Sequence, residues 1–522
     1  MILWLLIGIP LLAAPLAWWA ERLSSVAPRW IAFAALISDT LLSLWFWVFP
    51  YACDAAEHGR WLCETRTPWI PQWGIALHLG LDGLSFVLIA LIPAIGLVAV
   101  VASWTEIRER IGFFHFNLLL ALSGVIGVLV ALDLFLFFLF WEVMLLPVYL
   151  LIGVWGHEHR RQAAVKFFLF TQSGGLILLV SIIALAVVHQ GAAGSPSFDY
   201  DDLLGLTISS DVGRWLMLGF FIAFAIKLPI VSFHTWLPDA YEKAPTGASI
   251  ILAGALQIPS AYGLLRFLLP LFPDAAREAA PIAMGLGIVG TLYGALLAFA
   301  QTDYKRLVAY SSVSHLGIAL IGIFAMNRLA LQGVVLQLIA HGVSSAALFM
   351  LAGALQERLR TRDMRLMGGL WASVPRLASI ALFFAVASLG LPGLANFIGE
   401  FLVLFGSFRA HPWLTTLAST GMVTAAIYSL ALIQRTFHGP LRVDRDLPDL
   451  SGSPFAVLVA MMIILVWLGW YPMAVFSATE PTLPFLHYLE PSTPNAAPWQ
   501  PIDDPSTLLL QPVPHLPHGS AG

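Results

Sequence analysis

Charge is scarce in this sequence. Only 11% of its 522 residues are Asp, Glu, Lys or Arg, against about 25% in average proteins. With 59% hydrophobic residues and a mean hydropathy of +0.84, the chain holds more apolar side chain than a soluble core can enclose. A soluble enzyme is excluded, and a polytopic membrane protein is what remains. Cysteine is nearly missing as well. Cys53 and Cys63 are the 2 present, both in one loop, with no C-x-x-C and no Cys/His cluster, so no metal or iron–sulfur site is expected in the chain. The two thiols either close a short disulfide loop or stay unlinked. After Arg445 there is no Lys or Arg at all. The segment "PSTPNAAPWQPIDDPSTLLLQPVPHLPHGSAG" is Pro-rich and reads as a flexible extension or a strand of contact along a neighbouring subunit.

Apolar runs of membrane-crossing length fill most of the rest. They recur at 2–20, 29–50, 80–103, 112–131, 133–155, 164–190, 214–236, 246–270, 279–300, 306–324, 329–354, 373–395, 397–435 (broken or re-entrant at its start) and 454–477. An all-α fold of about fourteen transmembrane helices is therefore expected, since roughly 20 apolar residues cross about 30 Å of hydrocarbon. The first run lacks an A-x-A-like cleavage site and is read as a retained span. Basic residues favour one side: Arg22, Arg108, Arg110, Arg160, Arg161, Lys243, Lys305, Arg306 and the arginines of 358–365 fall on alternate connections. By the positive-inside rule these face the cytoplasm and the N-terminus faces outward.

One motif is dismissed on context. "GLGIVG" at 285–290 fits G-x-G-x-x-G but lies within an apolar helix, with no strand before it and no phosphate-facing turn. Close helix packing, helped by Gly290 and Gly294, is the expected role.

Ionisable residues inside apolar runs are functional candidates, because a charge at the bilayer centre is costly. Five stand out: Glu142 in "LFLFFLFWEVMLLPVYLL", Lys227, His315, His341 and Glu400. Lysine occurs only four times in the chain, at 166, 227, 243 and 305. Pro229 follows Lys227, and Pro392, Gly393 and Gly399 precede Glu400, so a helix break is expected beside each charge. Broken helices in matching halves point to an ion site in an inverted-repeat transporter. The fourth to eighth spans would form one half and the ninth to thirteenth the other. Glu142 and Lys227 on neighbouring spans would shift each other's protonation as they approach or separate; the plain alternative is a static buried pair that fixes packing.

The stretches "FWEVMLLPVYLLIG", "SFHTWLPDAYEKAPT", "QTDYKRLVAYSSVSHLG", "HGVSSAALFMLAG" and "LPGLANFIGEF" resemble the antiporter-like M-subunit family of respiratory complex I, whose mitochondrial counterpart is subunit four of NADH dehydrogenase. The likeness runs from about residue 75 to 440. Related chains occur in Mrp-type cation/proton antiporters and membrane-bound hydrogenases. Glu400 points to the M type, because the L and N relatives carry lysine there.

The resemblance implies a proton-translocating subunit of an NADH:quinone oxidoreductase in the bacterial inner membrane, beside L and N neighbours and lipid, with no nucleic-acid partner. It implies no cofactor in this chain; FMN, Fe–S clusters and quinone belong to the whole complex. By position, Glu142 and Lys227 would modulate the first half-channel, His315 and His341 would relay protons, and Glu400 would exchange them with the outside. The histidines are alternatively ordinary donors to neighbouring carbonyls. His234 and Asp239 form part of a proton uptake path or anchor a loop, and Glu106 is a solvated helix-end charge or a link to the next subunit.

The implied segments are 1–111 with the first three helices, 112–270 and 271–435 as the two half-channels, 436–477 as a last helix, and 478–522 as a periplasmic tail. One position departs from the family: Ile258, next to Gln257, stands where the eighth span would carry a buried lysine. A glutamine hydrogen-bonds water but stores no proton. A non-pumping structural spacer is therefore an alternative, beside an Mrp-type antiporter or hydrogenase subunit.

Overall fold

The computed structural model describes residues 2–48, 61–440, 442 and 447–482. Cys53 and the tail from 483 onward lie outside the described residues, while Cys63 is disulfide-bonded. The chain passes back and forth between two faces. α1 (Ile2–Ala20) and α2 (Ala27–Val48) lead to the hairpin β1 (Cys63–Ile70) and β2 (Ile75–Leu81), then to α3 (Gly83–Ala102) and α4 (Ile111–Val130). α5 (Leu134–Val143) and α6 (Leu145–Trp155) follow, then α7 (Arg160–Ala193), the short α8 (Tyr200–Leu203), α9 (Ser210–Lys227) and α10 (Trp236–Lys243). α11 (Thr246–Gly254), α12 (Ile258–Gly263), a π turn at Leu264–Leu268 and α13 (Leu269–Leu271) lie in one line of chain. α14 (Pro273–Ala300), α15 (Tyr304–Phe324) and α16 (Arg328–Leu359) are long; α17 (Leu370–Ser373), α18 (Pro375–Ser388), α19 (Ala395–Ala410), α20 (Pro412–Phe437), α21 (Gly452–Trp470) and α22 (Met473–Thr479) complete the order.

Among the described residues, 12 helical stretches are long and apolar enough to cross a membrane. Asx side chains start several helices by accepting a backbone N–H: Asp82 from Ser85, Asp133 from Phe135 and Leu136, Asp303 from Arg306, and Asn327 from Ala330. Each satisfies a donor that the first turn cannot.

The expected breaks beside Lys227 and Glu400 are present, and they are built alike. In the first, Ile230 N–H reaches back to the Ala225 carbonyl at 3.0 Å, and Ser232 adopts a left-handed φ of 84°. In the second, Leu391 N–H bonds the Val386 carbonyl at 3.4 Å, with Gly390 and Gly393 at φ 81° and 97°. Lys227 ends the helix before its break, whereas Glu400 lies in the second turn of the helix after its own.

Several spans differ from their expected limits. The run 214–236 is helical only to Lys227, and 373–395 only to Ser388. The run 397–435 is two helices, α19 and α20, because the helix stops at His411 and restarts with Pro412 at its first position. The fifth and eighth spans, expected to be continuous, are interrupted. Pro147 has no N–H for the Val143 carbonyl, so the helix resets at Met144, two residues after Glu142. The eighth span breaks at 255–257, where Leu256 N–H turns back to the Ile251 carbonyl at 2.9 Å.

Close packing of the "GLGIVG" helix is observed, with a change of residues. A Cβ on Gly287 would meet the Gly317 carbonyl oxygen at 2.7 Å and one on Gly294 the Ser314 nitrogen at 2.8 Å, whereas Gly290 has ordinary room at 3.6 Å.

The hairpin face is locked by a buried imidazole. His78 Nδ1 lies 2.7 Å from Asp199 Oδ2 and Nε2 lies 3.0 Å from Glu64 Oε1, with Arg66 Nη2 3.1 Å from the same Asp199 oxygen. Burial alone would lower the His78 value, but the hydrogen bonds and charges of Asp199 and Glu64 outweigh it and hold the imidazole above its usual value. Burial likewise acts to raise Asp199, and His78 and Arg66 hold it below the usual carboxylate value.

Their contributions to stability therefore have opposite pH dependence. That of His78 is complete below about pH 6.5 and is lost as pH rises through its raised value; that of Asp199 is complete above about pH 3.9 and is lost as pH falls through its lowered value. Amide protection factors of β2, corrected for intrinsic exchange, are expected to fall as pH rises above about 6.5. In His78→Gln that pH dependence should vanish.

Candidate functional site

A buried polar group gathers around His315. Its Nδ1 is 2.7 Å from Glu400 Oε1, and its Nε2 is 2.9 Å from the Tyr428 hydroxyl and 3.3 Å from Ser388 Oγ. Four helices thus converge on one ring: α15 carries the histidine, α19 the acid, α20 the tyrosine and α18 the serine. His341 on α16 lies beside it, with ring centroids 5.3 Å apart, and contacts Ser345 Oγ at 3.2 Å from Nε2. Gln337 Nε2 donates to the His315 carbonyl at 3.0 Å, which pins α15 to α16. Glu400 is 1% exposed, and its Oε2 has no hydrogen-bond partner. That oxygen faces Gly390 at the helix break, where an added Cβ would lie 3.5 Å away. His315, His341 and Glu400 are therefore one site, and the histidines are held by side chains rather than as simple donors to carbonyls.

Glu142 and Lys227 form a second group, and their pairing is not closed. No contact within 4.0 Å joins them among the described residues. Instead Lys227 Nζ stands 4.0 Å over the Trp141 ring, and Trp141 precedes Glu142 on α5. Lys227 is 3% exposed and walled by aromatic rings, with Phe224 5.6 Å from Trp141. Glu142 turns toward α7: its Oε1 is unpartnered and so close to Gly175 that a Cβ there would sit 2.1 Å from it. The indole, rather than the carboxylate, is thus what meets the ammonium.

Between the groups lies the break of the eighth span. Gln257 Nε2 is 2.5 Å from the Tyr241 hydroxyl, which donates to the Leu252 carbonyl at 2.8 Å, while Gln257 Oε1 is buried without a partner. Ile258 is 3% exposed, so no ionisable side chain fills the position where the resemblance implies one. The break reaches the His315 group directly: a Cβ on Gly254 would lie 3.2 Å from the Gly342 carbonyl oxygen, next to His341.

The arginine-bearing face carries an ion network. Asp239 takes Lys166 Nζ at 2.7 Å and Arg306 Nη1 at 3.1 Å; Glu242 takes Lys243 at 2.6 Å and Arg306 at 2.8 Å; Arg362 Nε reaches Asp303 at 3.1 Å. Asp239 is thus a bridging anchor. His234 is different, since its Nδ1 is buried without a partner beside Tyr293, with ring centroids 5.6 Å apart.

Glu106, 27% exposed, is partly solvated and also tied into the fold. Both its oxygens accept Thr246 N–H, at 3.2 and 3.0 Å, which caps α11. Nearby His157 is pushed down to about 3 by burial and by Lys305, Arg362 and Lys243, so it is neutral at physiological pH and makes no ion pair with Glu106. Glu106→Ala is expected to destabilise the chain by about 1 kcal/mol, as the loss of a helix cap does. Thermal denaturation of the purified complex should show the loss, with proton transfer per electron retained.

Several buried polar residues stand outside the expected set. Arg266, 1% exposed, pairs with Asp82 and donates to the Tyr262 hydroxyl at 3.2 Å. Lys305 is 0% exposed and donates to the Ala244 carbonyl at 2.9 Å, although its place at a helix start reads as an exposed loop charge. Asp39 is buried with both oxygens unpartnered, and His115 with Nε2 unpartnered. Asp39, His115, Lys166 and Arg266 lie in apolar runs, so the criterion that selects Glu142 selects them too. Tyr428 and Ser388 carry no charge and leave no such signal.

Buried acid, histidine and lysine groups beside interrupted helices, within one helical bundle, define an antiporter-like membrane subunit. Residues 131–427 match the family described as NADH:quinone oxidoreductase/Mrp antiporter, TM, and the chain belongs to that family. It is 51% identical over 492 residues to NADH-quinone oxidoreductase subunit M of Pseudomonas aeruginosa, covering 92% of this chain and 97% of that one. Subunit M of Escherichia coli is 49% identical over 487 residues, covering 91% and 96%. Among solved structures, a chain of respiratory complex I from Thermus thermophilus with bound NADH superposes with a TM-score of 0.83 at 30% identity, covering 94% of this chain and 100% of that chain. A chain of the Mrp complex from a Dietzia species gives 0.79 at 19% identity over 94% and 99%, a likeness of fold alone.

Proposed function

We propose that this chain is the M-type proton-translocating subunit of a bacterial NADH:quinone oxidoreductase, coupling electron transfer elsewhere in the complex to proton movement through the membrane. The observation that carries the reading is Glu400 held against His315 at a helix break, an acid at the position that marks the M type, in a chain 51% identical to a subunit M along 97% of its length. The chain itself supplies proton-holding groups and no redox centre; FMN, Fe–S clusters and quinone belong to other subunits. L- and N-type subunits flank it in the inner membrane. The arginine face is cytoplasmic and the hairpin and N-terminus are periplasmic.

Residues 112–270 and 271–435 act as the two half-channels. In the first, Lys227 and Glu142 gain or lose protons as they approach or separate around Trp141. In the second, His341 passes protons to His315 and Glu400, whose free oxygen faces the break. His234 serves proton uptake beside the Asp239 anchor. A non-pumping spacer is the second reading, favoured only by Ile258 in place of a lysine.

A strain lacking the chain, complemented with it, decides between them. Inverted membrane vesicles should regain both NADH:quinone activity and NADH-driven proton uptake. If Ile258→Lys raises protons taken up per NADH while the native chain gives the stoichiometry of a complex with one pump fewer, the spacer reading holds instead.

A further inference from the structure

Three arginines where α14 and α20 end take no part in the sites above. A cleft of about 740 Å³ opens there, between the end of α14, the chain joining α16 to α17, and the end of α20. Arg365, Arg435, His438 and Arg442 line it, and among the described residues no Asp or Glu does. The Arg435 guanidinium carbon stands 4.9 Å from the centre of the Phe299 ring, and Nη1 donates to the Phe299 and Gln301 carbonyls at 2.9 and 3.0 Å. Arg442 donates to the Arg365 carbonyl, and Gly369 N–H ties the opposite wall to the His438 carbonyl at 3.0 Å. The backbone therefore holds the three cations together. Arg365 has a carboxylate partner, Asp363, at 2.7 Å. No acid lies within 4.0 Å of Arg435 or Arg442 among the described residues; Asp444, Arg445 and Asp446, next along the chain, lie outside them. Like charges gathered this way repel one another unless an anion joins them.

The kind of anion follows from the surface that continues away from the cleft. On α14, Leu296 and Val289 lie on the same helical face as Phe299 and are exposed; on α20, Leu430, Ile427 and Val423 do the same one, two and three turns before the cleft residue Gln434. The two helices pack against each other, so the cleft heads an apolar face of membrane-crossing length. A free phosphate would use the guanidiniums and none of that face. We propose that the cleft binds an anionic phospholipid: its phosphodiester accepts hydrogen bonds from Arg435 and Arg442, and its acyl chains lie along α14 and α20. A zwitterionic lipid brings its own cation to the arginines and is disfavoured. The site needs only the membrane-spanning fold and stands apart from the proton-translocation reading.

The test reconstitutes the assembled complex into phosphatidylcholine vesicles with a trace of photoactivatable phosphatidylglycerol, or of phosphatidylcholine bearing the same photophore beside its glycerol. After illumination, label is counted in peptides covering 296–302 and 430–442. In the native complex the phosphatidylglycerol probe should exceed the phosphatidylcholine probe there by about fivefold for each arginine engaged. Arg435→Gln with Arg442→Gln should bring the two probes level, whereas Arg435→Lys with Arg442→Lys, which keeps both charges, should retain most of the excess. If the double glutamine variant fails to assemble, as NADH:ferricyanide reductase reports, Arg442→Gln alone at its exposed position carries the comparison, with an expected drop of about fivefold. Equal labelling in the native complex overturns the proposal, as does an excess that survives the glutamine variants. Absence of label from either probe would mean that a neighbouring protein covers the cleft. An excess abolished by inorganic phosphate but not by chloride at equal ionic strength would make it a free-anion site, which also overturns the lipid assignment.

Discussion

Glu400→Gln is expected to leave the complex assembled and to reduce NADH-driven proton uptake and coupled quinone reduction by about tenfold or more, the scale on which a positioned proton-transfer group acts. The amide has nearly the shape of the acid, and its oxygen still accepts from His315 Nδ1, which lies 2.7 Å from the carboxylate now. The substitution therefore spares the four-helix junction. What disappears is the capacity to take a proton, because an amide oxygen accepts a hydrogen bond but stores no hydrogen. Oε2, the oxygen without a partner, becomes an NH₂ group facing Gly390, which has no side chain to clash with it. Acridine-dye quenching in inverted vesicles, with NADH:ferricyanide reductase as the assembly control, checks the outcome. Full turnover with native proton uptake per NADH would make Glu400 a structural acid.

The fold was legible where periodicity and proline chemistry act locally. Apolar runs marked the spans, and Pro229 and Pro392 marked breaks beside Lys227 and Glu400, because a missing N–H disrupts the helix wherever it occurs. Pro147 and Pro259 carry the same chemistry, yet their runs read as continuous, since hydropathy does not fall at Met144 or Gln257. The distinction between α19 and α20 was hidden for a related reason: Pro412 opens a helix as readily as it ends one.

At the site, charge inside an apolar run identified the acid, the lysine and both histidines. What it did not give was their grouping. The contact of His315 with Glu400 spans 85 residues of chain and depends on how α15 meets α19. Glu142 and Lys227 come near each other as the apolar runs suggest, but the part of Trp141, whose ring lies 4.0 Å from the ammonium, has no charge to announce it in the sequence. Lys305 misled in the other direction: a lysine beside an arginine at a helix start looks solvated, and only the approach of the Ala244 carbonyl shows that it is buried.

Lys227→Met is expected to stop proton uptake while leaving the chain as stable as before, or more so by about 1–4 kcal/mol, the range seen when buried charges give way to apolar side chains. Methionine has nearly the length of lysine and fits against the same rings. The ammonium has no counter-charge in contact, only the Trp141 face at 4.0 Å, and a desolvated cation–π contact contributes about 2 kcal/mol, less than the several kcal/mol that removing one ion from water costs. Packing therefore does not explain the lysine, whereas a group that must change its charge does.

The energies required are small. Moving one charge through 100 mV takes about 2.3 kcal/mol, equivalent to fewer than two pKa units at about 1.36 kcal/mol each. On the proposed reading, a change of that order is what an approach or separation of Glu142 and Lys227 has to supply. Glu142→Gln should accordingly show the same loss of proton uptake in an assembled complex, and Glu142→Gln with Lys227→Met should lose little more than either alone, since both act through one interaction. Independent, multiplying losses would mean that the two residues serve separate steps and that Trp141 insulates them; native uptake in Glu142→Gln would make that acid structural and leave Lys227 to work alone.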